Sequence, residues 1–100
     1  MHDEALRALP KVELHCHLEL TARHGLLKEL LAAKGHRIDD AAFRRDYLIT
    51  EPVGDLPTLL NIFLGHRDLL DSPEVVERMT YEGCEEMSAN GVRLLGLRYA

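Results

Sequence analysis

The sequence predicts an α/β protein built around a parallel sheet. Two runs have the character of strands, residues 11–17 and residues 92–99, and helical patterns of apolar side chains occupy the chain between them. Strands that alternate with helices are typical of βα units, whose strands pair in parallel. A chain of 100 residues, of which 46% are hydrophobic, is long enough for one small domain with its own core.

The first predicted strand has the sequence KVELHCH and alternates apolar and polar side chains with a period of two. Successive side chains of a strand point to opposite faces, so the alternation separates two sets. The apolar set is Val12, Leu14 and Cys16, and the polar set is Glu13, His15 and His17. Because imidazole is a common ligand of zinc and similar ions, His15 and His17 on one face predict a site for one divalent metal. Cys16 points to the other face and is predicted to be a small buried hydrophobic residue.

Helical segments are predicted on both sides of this strand. They are a short lead-in at residues 2–9, residues 22–34, residues 39–47, a helix that starts at Asp55, and a helix from Ser72 to Asn90. Thr21, Asp55 and Ser72 are expected to cap three of these helices, because their side chains accept hydrogen bonds from the first free backbone N–H groups. Cys84 and the methionines are expected in the core.

The second predicted strand, residues 92–99, is nearly continuous in apolar character, as expected for a strand covered on both faces. In a closed parallel barrel the helices cover the outside, and active sites lie at the carboxyl ends of the strands. The two histidines would then point inward at that end. Since an unpaired buried charge is costly, Glu13 on the same face is predicted to pair with Arg98 of the second strand.

Composition excludes several classes of function. The formal net charge is −5, with 17 acidic and 12 basic residues, and no basic stripe predicts nucleic-acid binding. No run is long and apolar enough to cross a membrane, and the first residues lack the pattern of a signal peptide. With only two cysteines a disulfide framework is not expected, so the predicted location is the reducing cytoplasm.

The run LPKVELHCHLE at residues 9–19 strongly resembles the opening strand of the adenosine/AMP deaminase family, within the metal-dependent hydrolase superfamily. The Leu-Pro pair at residues 56–57, with the leucines and phenylalanine after it, is similar to the helix that walls the purine pocket in this family. Residues 91–99 are similar to its second barrel strand. The resemblance implies a (β/α)8 TIM barrel, of which residues 1–100 would be the N-terminal βα portion: an incomplete barrel within a single domain.

The family uses one zinc ion to replace the 6-amino group of a purine by a hydroxyl, with release of ammonia. By position, His15 and His17 would be two of the zinc ligands, and His17 would also lie near the substrate. Glu19 falls where the family places a carboxylate that contacts the substrate. The apolar wall over the base would comprise Leu56, Leu59, Leu60 and Phe63. The family's catalytic acid/base and remaining metal ligands have no counterpart in this segment, which is therefore expected to be inactive alone.

Three positions depart from the family pattern. Leu20 replaces a glycine, Glu19 is one methylene longer than the common aspartate, and Gly96 stands where an acidic residue is often found. These departures leave open whether the small-molecule substrate is a purine nucleoside, a modified nucleoside or a free base; the oligomeric state is also open. Two other interpretations are a metal-dependent phosphoesterase barrel, since other barrels also open with Leu-His-x-His, and a truncated, non-catalytic barrel segment that binds a partner.

Overall fold

The computed structural model describes residues 3–99, so only the first residue of the predicted lead-in at 2–9 lies outside the described part. The elements are α1 (Asp3–Ala8), β1 (Lys11–His17), α2 (His24–Ala33), α3 (Asp40–Tyr47), α4 (Leu56–Arg67), α5 (Pro73–Ala89) and β2 (Val92–Arg98). The α/β class is confirmed, with both strands in one parallel sheet. None of the helices described here has both the length and the apolar character needed to cross a membrane.

The two strands pair in a register that changes along the sheet. Glu13 lies opposite Leu95, whereas His17 lies opposite Arg98, and β1 uses one more residue than β2 between these points. The backbones come very close at this irregularity: a Cβ atom added to Gly96 would lie 2.6 Å from the carbonyl oxygen of Leu14. Glycine is therefore required at position 96 by the close approach of the neighbouring strand.

Side-chain caps fix the starts of three helices. Asp39, Asp55 and Ser72 accept hydrogen bonds from the backbone N–H groups of Ala42, Thr58 and Val75, at 2.8, 2.8 and 3.2 Å. The predicted capping roles of Asp55 and Ser72 are confirmed. Hydrogen bonds from Thr58 also hold the pKa of Asp55 below its ordinary value, because they stabilise the charged carboxylate.

The predicted cap at Thr21 is wrong. The chain after β1 first forms a 3-10 turn over Leu18–Leu20, and α2 starts only at His24. The Thr21 hydroxyl donates a 2.8 Å hydrogen bond back to the carbonyl of Leu18 and so closes this turn. The local competition between a turn and a helix start is common for threonine, and here the turn prevails.

The core consists of two adjoining groups of buried side chains that α2 connects. Leu26 and Leu27, neighbours on α2, each belong to one group. One group contains Leu27, Leu31, Phe43 and Leu69, and the other contains Leu18, Leu26 and Met79. Met79 is in the core as expected. The expectation that Cys84 lies in the core is wrong, because Cys84 is exposed.

At the amino-terminal end of β1, one lysine holds neighbouring segments of the chain together through hydrogen bonds to backbone carbonyls. The ammonium of Lys11 donates to the carbonyl of Leu6, to that of Leu9 at 3.1 Å and to that of Asn90 at 2.5 Å. It also lies 3.4 Å from the carbonyl of Arg7. A single cation thus ties the end of α1 and the end of α5 to the start of the strand, using carbonyls that a helix end leaves free.

We expect Ser72→Ala to lower the free energy of unfolding by about 1 kcal/mol, because the first turn of α5 loses the acceptor for its Val75 N–H. Chemical denaturation of the protein measures this change. Ser88→Ala, at an exposed position of the same helix, is the matched control and should change stability much less. Equal effects of the two substitutions would contradict the capping role.

Candidate active site

The structure brings the two predicted histidines of β1 together. The Nε2 atoms of His15 and His17 are 3.2 Å apart, and the ring centroids are 5.0 Å apart at an interplanar angle of 65°. The period-two pattern placed both residues on one face, and the rings do converge there. They lie at the carboxyl end of β1, the end at which parallel α/β sheets build their ligand sites.

The separation of the two nitrogens suits ligation of one metal ion. Two imidazole nitrogens bound at about 2.0–2.1 Å to a tetrahedral zinc are about 3.3–3.4 Å apart. The observed 3.2 Å between the Nε2 atoms is close to that spacing. Within residues 3–99 no group of three or more histidine, cysteine, aspartate or glutamate side chains is placed to hold a metal. The described residues therefore offer a pair of donors that fits zinc, and not a full ligand set.

Cys16 does not join this pair. It is half-buried on the strand, and burial raises the pKa of its thiol, with smaller contributions from the charges of Glu13 and Cys84. The alternation of β1 points Cys16 away from the face that carries the two histidines, and this geometry argues against ligation.

Arg98 is the polar neighbour of His15. Its Nε donates a 2.8 Å hydrogen bond to Nδ1 of the His15 ring. The Glu13 carboxylate instead accepts a hydrogen bond from the backbone N–H of His15 at 3.1 Å. Arg98 thus belongs to the immediate surroundings of the candidate metal ligands, a role that the sequence did not indicate.

The predicted pair of Glu13 with Arg98 is wrong. In the observed register Arg98 lies opposite His17, four residues beyond Glu13, which is about 13 Å along a strand. Glu13 is also exposed among the described residues, so no buried charge has to be compensated. Register, which depends on the irregularity near Gly96, decides which side chains meet.

One of the predicted wall residues contacts the histidines directly. The Phe63 ring of α4 lies edge-on to the His17 ring, with centroids 5.7 Å apart and an interplanar angle of 80°. Helical spacing places the three predicted leucines on the same side of α4 as Phe63. Their exposed fractions are 62% for Leu56, 36% for Leu59 and 46% for Leu60. An apolar stripe therefore extends from the histidine pair to the surface.

Glu19 lies in the 3-10 turn directly after β1 and is only 2% exposed. It lines a cleft of about 310 Å³ together with Arg67, Leu97 and Tyr99. Since Tyr99 follows β2 as Glu19 follows β1, both lie at the carboxyl edge of the sheet. Arg67 and Tyr99 were not singled out from the sequence. The edge rule for parallel strands could have indicated Tyr99, but no sequence signal indicated Arg67.

A larger cleft of about 580 Å³ lies beside α3 and the loop that follows it. Its lining contains none of the predicted site residues. The carboxyl edge of the sheet carries the convergent imidazoles beside Phe63. It also carries the buried Glu19 carboxylate, in a cleft whose lining does not include the histidines or Phe63. This edge is the better candidate for chemistry.

These features define the class of protein to which the segment belongs. It is a parallel α/β protein with paired imidazoles at the carboxyl edge of its sheet. Residues 10–100 match the family model described as adenosine deaminase. The adenosine deaminase of Clostridium perfringens (strain SM101 / Type A) is 33% identical over 92% of this chain and 29% of its own length. That of Vibrio atlanticus (strain LGP32) is 30% identical over 93% of the chain and 29% of its own length. No solved structure matches.

The chain therefore belongs to the adenosine deaminase family. It spans about 29% of the length of the relatives it matches. The resemblance inferred from the His-x-His strand is confirmed.

We expect Gly96→Ala to lower the free energy of unfolding by about 1–3 kcal/mol, because the new methyl group would press on the Leu14 carbonyl and the backbone of β1 would have to move. Thermal or chemical denaturation measures the change. Gly54→Ala is the matched control, since an added Cβ there has no atom within 4 Å. A Gly96→Ala protein as stable as the control would show that the strands do not approach this closely.

Proposed function

We propose that this chain supplies two metal ligands and part of the substrate pocket of a zinc-dependent deaminase that acts on a purine nucleoside or base. The observation that carries the proposal is the 3.2 Å separation of the His15 and His17 Nε2 atoms at the carboxyl end of β1. Membership of the adenosine deaminase family supports the reaction class. The net reaction replaces a ring amino group by a hydroxyl and releases ammonia.

The proposed setting is a (β/α)8 barrel of which residues 1–100 form an N-terminal portion of the single domain. Parallel pairing of β1 with β2 and helices between them support this architecture. So does the position of the histidines, since barrels place their active sites at the carboxyl ends of the strands.

His15 and His17 would hold the zinc ion through their Nε2 atoms. When bound, zinc would lower the pKa of a water molecule far enough to supply a nucleophile at neutral pH. The His17 ring contacts both the His15 ring and the Phe63 ring, so it would border both the metal and the substrate. No residue of this segment is assigned the role of catalytic acid or base.

The substrate would contact two chemically different surfaces. Phe63 and the exposed leucine stripe of α4 would cover the flat apolar face of the purine, which excludes water from the reacting carbon. The Glu19 carboxylate would accept a hydrogen bond from a polar group of the substrate at the cleft it lines. The extra methylene of glutamate extends this acceptor further than an aspartate would.

The protein is proposed to act in the cytoplasm on a small molecule. Cys16 and Cys84 are free thiols in the structure, which suits a reducing compartment. Family membership favours the deaminase over the phosphoesterase. The His-x-His strand alone does not distinguish the two reactions, because both kinds of barrel open with the same histidine pair. Release of ammonia from adenosine or adenine, compared with release of phosphate from a phosphomonoester, distinguishes the two activities in one preparation.

We expect His15→Ala and His17→Ala each to abolish bound zinc, measured by elemental analysis of the protein that carries this segment. Each removes one of two adjacent donors, and affinity depends on their convergence. His36→Ala is the matched control, because His36 is exposed on the segment between α2 and α3. Full zinc content in either strand variant would refute the proposed ligands.

The 100-residue segment by itself is expected to release no ammonia from adenosine or adenine. A catalytic zinc usually takes three protein ligands, and residues 3–99 bring only two imidazoles together. An ammonia assay on the purified segment with added zinc checks this. Turnover above that of the His15→Ala segment would contradict the expectation.

A further inference from the structure

The hydrogen bond between Arg98 and His15 determines where the protons of the histidine pair reside. A guanidinium can only donate, so Nδ1 of His15 must be an acceptor and carries no proton. The proton of the neutral ring is then on Nε2, which faces Nε2 of His17 at 3.2 Å. In neutral rings this geometry makes His15 the donor and His17 the acceptor at Nε2, which leaves the proton of His17 on Nδ1.

The two rings are thus unequal toward a metal ion. A neutral imidazole binds through its unprotonated nitrogen. His17 already presents a free Nε2 lone pair to the space between the rings, whereas the corresponding nitrogen of His15 is protonated. For His15 to ligate through Nε2, its proton must move to Nδ1, and Nδ1 could then no longer accept from Arg98.

The arrangement is the reverse of the usual support for a metal-binding histidine. Such a ring generally donates its second N–H to a carboxylate, a carbonyl or water. Here the second nitrogen of His15 meets a cation that only donates. The interaction is a charge-assisted hydrogen bond of 2.8 Å, so its loss opposes metal binding.

We propose that Arg98 is a positioning residue that keeps His15 in the tautomer unable to bind metal, so that loading of the site must release Arg98 from the ring. The inference rests on the zinc site proposed above. It gives the two histidines an order of zinc binding. His17 can bind zinc at once through Nε2, and His15 becomes a ligand only after its contact with Arg98 is broken.

The first test needs no substitution. Nitrogen-15 NMR of the metal-stripped protein should show His15 protonated on Nε2 and His17 on Nδ1. After addition of zinc, both rings should carry their proton on Nδ1, so only His15 changes its tautomer. His15 already protonated on Nδ1 without metal would overturn the proposal.

The second test compares zinc affinity, measured by competition with a chromophoric chelator. Arg98→Leu should bind zinc about tenfold more tightly than the wild type, since substitutions of the partners of metal-binding histidines change metal affinity by about tenfold or more. Arg93→Leu is the matched control, since it removes the same charge from the same strand, and Arg93 donates to the carbonyls of Ser88 and Val92 instead of a histidine. The control should leave zinc affinity unchanged.

The outcomes separate the two proposals. Zinc binding by the wild type with equal or weaker binding by Arg98→Leu overturns the role of Arg98 and leaves the metal site standing. If the Arg93→Leu control gained the same zinc affinity, the gain would be due to net charge alone. That result would also overturn the role of Arg98. Absence of zinc binding from the wild type and from every variant overturns the proposed metal site and, with it, this inference.

Discussion

The parallel pairing of β1 with β2 is the constraint on which the rest of this structure depends. Only a long connection can return the chain to a parallel neighbour, and here α2 to α5 form that connection. The pairing brings the turn after β1, the end of β2 and the face of α4 to one edge. Arg98 and Tyr99 reach the surroundings of His15 and Glu19 because these two strands lie side by side.

Local chemistry made much of this arrangement predictable. The alternation in β1 placed His15 and His17 on one face, and the capping roles of Asp55 and Ser72 followed from their side-chain acceptors. The register was not predictable, because it depends on an extra residue of β1 facing Gly96 from a distant part of the chain. The pairing of Glu13 with Arg98 failed for that reason. Thr21 failed because a turn and a helix start use the same hydroxyl.

Within the site, the sequence indicated residue types better than contacts. Phe63 belonged to an apolar stripe of α4, and only the packing of α4 against the turn after β1 shows that it touches His17 while the leucines remain exposed. Arg98 was considered only as a partner for a buried acid. Its contact with an imidazole depends on one nitrogen atom and one register position, which no pattern along the chain records. Arg67 lines the cleft of Glu19 because the fold brings it there, and no sequence pattern indicated this position.

The ammonium of Lys11 and the paired imidazoles stand at opposite ends of the same seven-residue strand. One end is anchored by carbonyls from two helices, and the other carries the chemistry. Substitutions at Glu19 and Leu20 can therefore change the shape of the pocket without weakening the hydrogen bonds that anchor the strand. Ligand specificity can change at one end of β1 while the other end keeps the fold intact.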